Sequence, residues 1–226
     1  MTQEEIVALV VSEFQTPTLG VTEQYLEVHA PVTENGTIKI DRIDWEAGHD
    51  RAIVYVPVVD EFFHFALLVN LKLKKVYGFR SEPWHRVYFN ATSKTLSLQE
   101  LQSCTSLIPT SGWDKEDLRP HGKNRYGFSS FKLLPNPEPD TFENKLTKLL
   151  DRLETDPEGV KKLAEKTKAE ITVAINFHNG NGMLGGLHLD QRSLQRIAEL
   201  NFSMDFDLYA EGHPFGPPYV KTFGKL

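Results

Sequence analysis

The sequence predicts an α+β protein: an N-terminal helix with an antiparallel β-meander, then an α+β domain whose helices pack on one face of a mostly antiparallel sheet. Three observations predict it. Residues 1–94 hold one helical pattern followed by a series of β-prone runs broken by turn signals. Phe142, Leu146, Leu149, Leu150 and Leu153 recur at helical spacing. Ile171–Phe177 and Met204–Tyr209 alternate with the two-residue period of strands.

The elements follow in order. Thr2 and Glu5 have capping-box spacing, in which hydroxyl and carboxylate satisfy the free N–H groups of a helix start. Ile6, Val7, Leu9, Val10 and Phe14 then share a face, and Pro17 with Gly20 ends the segment. Tyr25–His29 and Thr37–Asp41 read as strands around an Asn35-Gly36 turn. Ala52–Val59, Phe62–Leu71, Val76–Ser81 and His85–Thr92 continue the meander. Ser97 and Glu100 form a second capping pair, opening a short helix. Pro109–Asn124 is polar and reads as a long loop before the strand Tyr126–Leu134. Asp140 and Glu143 are placed to cap the leucine-striped helix, and Asp156-Pro157 opens another with Pro at the favoured first position. Leu187-His188-Leu189 reads as a short strand, Leu194, Ile197 and Ala198 as the stripe of a further helix. In the last strand Met204, Phe206 and Leu208 are expected inward, with Asp205 and Asp207 outward. The change of pattern near Thr95 divides the chain into domains 1–94 and 95–212, with a Pro/Gly/aromatic tail at 213–226.

Composition narrows the function. With 25 basic against 31 acidic residues the net charge is −6, which argues against a general nucleic-acid binder. No run approaches the roughly 20 apolar residues that span a bilayer. The start, Met1-Thr2-Gln3-Glu4-Glu5, lacks the basic region of a signal peptide, so the cytoplasm is the expected location. The single cysteine, Cys104, lies on an apolar stripe and reads as a buried structural thiol.

Residues 97–211 carry a string of spaced features: Leu98-Gln99-Glu100-Leu101 leading to Ile108-Pro109-Thr110, then Gly127-Phe128-Ser129-Ser130, then the helix Leu146–Leu153. Gly186-Leu187-His188-Leu189, Leu194–Leu200 and the acidic-apolar Met204–Tyr209 complete it. This stretch resembles the bacterial family described as domain of unknown function 4279. Gly127 departs from the pattern, where an aromatic is expected before the strand. The resemblance implies a fold and a bacterial source; it implies no activity, cofactor or catalytic residues. Residues 1–94 lie outside it.

Candidate chemistry is sparse. Gly180, Gly182 and Gly185 spell GxGxxG, but a dinucleotide loop needs these glycines to open a helix, and the helix here starts only after Asp190. They read instead as a connection in which glycine supplies positive φ. Asp205 and Asp207 leave the same face of a strand. With His188 and Asp190 nearby in sequence they are the place to look for an acid/base pair or cation site; the other reading is outward alternation or loop capping. No HExxH or Cys/His zinc spacing appears, so no metal or cofactor is assigned. Trp84, Trp113 and Tyr126, with Arg86, Arg119 and Arg125, lie in or beside loops, and Trp45, Phe215 and Tyr219 do likewise. Aromatics with arginine are enriched at interfaces, although loop aromatics also fold back onto cores. The expectation is a non-catalytic protein-binding module, concretely an immunity-type neutraliser of a basic toxin, contacting neither nucleic acid nor membrane. A hydrolase using the last-strand carboxylates is the alternative.

Overall fold

Thr2 opens helix α1 (Gln3–Gln15) with both capping-box bonds formed, Glu5 N–H to Thr2 Oγ1 and Thr2 N–H to Glu5 Oε2. In this computed structural model residues 1–48, 50–120, 122–180 and 185–213 are described. A second helix, α2 (Gly20–Leu26), replaces the strand expected at Tyr25–His29. The tertiary setting outweighs the local alternation here, because the helix buries Tyr25 and lets its hydroxyl donate to Ser81 Oγ at 2.9 Å. Glu13, also buried, accepts bonds from Thr18 and Thr22 and so joins α1 to the start of α2.

A small hairpin, β1 (Thr33–Glu34) and β2 (Thr37–Ile38), turns at Asn35-Gly36, both at positive φ as a tight turn requires. The meander follows as β3 (Arg42–Asp44), β4 (Arg51–Pro57), β5 (His64–Asn70) and β6 (Lys75–Glu82), a four-stranded sheet in sequence order with antiparallel neighbours. Ile6 and Val10 of α1 pack with Val54, Val56, Phe65, Leu67 and Phe79 of this sheet.

A second, five-stranded sheet uses β7 (Trp84–Ser93), β8 (Ser111–Trp113), β9 (Ser129–Leu133), β10 (Lys168–His178) and β11 (Ser203–Glu211), in the order β11-β10-β7-β9-β8. Between them run α3 (Leu98–Gln102), α4 (Phe142–Leu153), α5 (Pro157–Lys166) and α6 (Gln191–Glu199). The leucine stripe of α4 is buried as its spacing predicts. Its N-cap is Thr141; Asp140, one residue earlier, instead accepts from Asn136, Asn144 and Lys148. Arg196 of α6 bonds Asp151 and Glu154 beside α4, which holds its guanidinium further in the charged form. The α+β class with a mostly antiparallel sheet is what the structure shows.

Two further predicted details differ. Residues 187–189 form no strand. In β11 the apolar side chains are not inward: Phe206 is 40% and Leu208 62% exposed. The sequence pattern marks alternation but cannot tell which row faces a core, and β11 is an outer strand. Gly180 and Gly185 take positive φ, as the loop reading requires, whereas Gly182, Phe215 and Tyr219 lie outside the described residues.

The chain groups into two compact units. The first comprises residues 1–84, 176–184 and 209–226; the second comprises 85–175 and 185–208.

Candidate functional site

Of the four polar residues expected near the last strand, Asp190 and His188 make separate local bonds. Asp190 is the N-cap of α6, accepting from Ser193 N–H at 2.7 Å, and that bond lowers its pKa from the ordinary aspartate value. The backbone N–H of His188 donates to Glu143 Oε1 at 3.1 Å. Asp205 is exposed and Asp207 half-buried on β11. Among the described residues no group of three or more His, Cys, Asp or Glu is placed to hold a metal ion. A shallow groove at α5 and the α6–β11 turn mixes Glu158 and Glu165 with Lys161 and Lys168, so it presents no single charge.

The aromatic and arginine candidates fare differently. Trp113 ends β8 and stacks on Tyr126, with centroids 4.4 Å apart and planes 18° from parallel. The Arg119 guanidinium lies 5.2 Å over the Tyr126 ring. Backbone bonds brace the segment that carries them: Glu116 N–H to Tyr126 O, Tyr126 N–H to Asp117 O, and Arg119 N–H to Asn124 O. Arg125 adds a side-chain bond to the Glu116 carbonyl. What reads in sequence as a polar loop is a miniature hairpin that gathers the half-buried Trp113 and Tyr126 and the exposed Arg119 into one stack. Trp84 stacks instead on Phe62, at 5.8 Å and 6°, in the first unit, and Arg86 sits half-buried in β7.

A second polar cluster, within the first unit, was not singled out by sequence. His29 Nε2 and His178 Nε2 lie 2.9 Å apart, both residues buried. His178 Nε2 is also 2.9 Å from the His213 carbonyl, which can only accept. A hydrogen on His178 Nε2 satisfies both neighbours, making His29 Nε2 an acceptor and placing the His29 proton on Nδ1. There it faces Glu61 Oε1 at 3.5 Å. Glu61, 1% exposed at its side chain, also accepts from the His213 backbone N–H at 2.9 Å and pairs with His213 Nδ1 at 2.8 Å. Tyr25 and Phe63 rings wall the pair. Burial first and His178 second hold His29 below the ordinary histidine pKa, against the pull of Glu61. Partners 149 and 152 positions apart leave no local pattern for a sequence reading to find.

A family model described as Domain of unknown function (DUF4279) matches residues 82–211. The match begins ahead of Ser97 and ends with β11. No curated protein and no solved structure matches the chain.

Proposed function

Because the chain belongs to the family described as Domain of unknown function (DUF4279), a description that assigns no activity, we propose from its own geometry that it is a non-catalytic protein-binding module. The concrete form is a bacterial cytoplasmic protein that neutralises a basic toxin. The observation that carries the reading is the Trp113–Tyr126–Arg119 stack on its braced hairpin. Tryptophan, tyrosine and arginine are the residues that dominate interface energetics, and anchors fixed before contact lose less conformational freedom on binding. The net charge of −6 favours encounter with a basic partner. The carboxylate alternative has less support, since Asp190 caps a helix.

The test is cross-linked capture from the native host at moderate salt, with the full chain and with Trp113→Ala and Arg119→Glu. The expected result is one stoichiometric partner held by the wild type and lost by both variants, each of which still unfolds cooperatively well above the assay temperature. Recovery of no such partner, or equal recovery by all three proteins, overturns the proposal.

A further inference from the structure

β11 is the outer strand of the five-stranded sheet, with β10 as its one neighbour among the described residues. An outer strand presents a row of backbone donors and acceptors to whatever approaches, and proteins ordinarily guard such an edge with charged side chains, proline, a bulge or very short length. β11 runs nine residues, Ser-Met-Asp-Phe-Asp-Leu-Tyr-Ala-Glu, without proline, and its guarding charges are all acidic, which repel an acidic strand and leave the edge open to a basic one. Phe206 at 40%, Leu208 at 62% and Tyr209 at 42% are exposed, and Met204 is half-buried. Both rows of β11 thus carry exposed side chains, and among the described residues the strand is paired on one side.

We infer that β11 is a docking edge for an extended segment of a protein partner in which apolar and basic side chains alternate. It is a different surface from the Trp113 hairpin, and its failure leaves that reading standing. The two rows of side chains define the partner. Met204, Phe206 and Leu208 make one row apolar; Asp205 and Asp207 make the other acidic, with Tyr209 beside them. A strand added to this edge continues both rows, so its matching positions are apolar on one face and basic on the other, where opposite charges pair across strands. The same rows disfavour a second copy of this chain. Antiparallel pairing centred on Asp207 sets Asp207 against its own counterpart, and parallel in-register pairing sets both aspartates against theirs. Like charges directly opposite are destabilising, and a net charge of −6 on each chain adds long-range repulsion.

The experiment uses the full chain with three synthetic twelve-residue peptides in which valine alternates with lysine, with threonine or with glutamate. Binding is read by fluorescence anisotropy and by backbone hydrogen exchange over residues 203–211. The lysine peptide is expected to bind at least about tenfold more tightly than the threonine peptide, to slow exchange of the outward amides of β11, and to weaken as salt rises. The glutamate peptide is expected to leave exchange unchanged. In the Asp205→Lys/Asp207→Lys double variant the preference should reverse toward the glutamate peptide, which a merely misfolded variant would not produce. Equal protection by all three peptides overturns the basic partner. Absence of protection by any, slow exchange of the outward amides in the peptide-free chain, or protection that grows with protein concentration alone overturns the docking edge.

Discussion

The Nε2 atoms of His29 and His178 face each other at 2.9 Å inside the first unit, a gap that holds one proton and not two. Protonating His29 at Nε2 would set a second N–H in that gap, so the pair disfavours a charged His29. The unfolded histidine, with its pKa of about 6.5, accepts the proton first, because His29 is held below that value in the fold. Stability is therefore full above about pH 6.5 and falls as pH drops below it. Urea unfolding from pH 8 to pH 5 should show that loss. His178→Gln, which removes the opposing imidazole, should show a shallower one. An unchanged slope in the variant contradicts this account.

His85 makes a separate contribution. It is buried in the second unit, with Nδ1 3.3 Å from the Asp140 carbonyl, and burial pushes its pKa down to about 4. The unfolded state binds the proton first, so stability present at neutral pH is lost as pH falls from about 6.5 toward 4, by at most roughly 3 kcal/mol. Histidine ring shifts followed by NMR should keep His85 neutral until about pH 4; a midpoint near 6.5 is the contrary result.

Gly159→Ala should destabilise, although alanine is ordinarily the better helix residue. A Cβ at this position meets Asp156 Oδ2 at 2.2 Å. That carboxylate cannot step aside, because it accepts from Gly159 N–H, Ser106 N–H, Ser106 Oγ and Thr105 Oγ1. These bonds hold the Asp156 pKa down at about 2. Loss of the cap gives an expected cost of about 1–2 kcal/mol by urea unfolding. A stabilised Gly159→Ala protein would show that the carboxylate is not so held.

Leu149→Ala, at a fully buried position of the α4 stripe, should cost about 2–5 kcal/mol. Ile108→Ala, at 76% exposure, should change stability by less than about 0.5 kcal/mol. The pair of unfolding midpoints checks whether that stripe is the core it is drawn as.

What could be read in the sequence is what is local. Thr2 with Glu5, Ser97 with Glu100, and Asp156 with Pro157 mark helix starts that form as their spacing dictates, since each bond spans one turn. Tyr25 misleads because its buried hydroxyl finds its partner in Ser81, 56 positions away. Leu187–Leu189 misleads because an N–H that a strand would pair goes to the Glu143 carboxylate instead. The Trp113–Tyr126–Arg119 residues were individually visible, but their stacking depends on a hairpin whose backbone bonds carry no compositional signature. The facing histidines could not be seen at all from neighbours in the chain.

The first unit is assembled from three stretches of chain, the last of them entering at Tyr209. During synthesis, therefore, His29 and Glu61 emerge long before the residues that complete their cluster. Glu61 and His29 gain their full set of partners only once His178 and then His213 have left the ribosome. A polypeptide released early, even one retaining all of α1 through β7, would expose those two groups to water or to a chaperone.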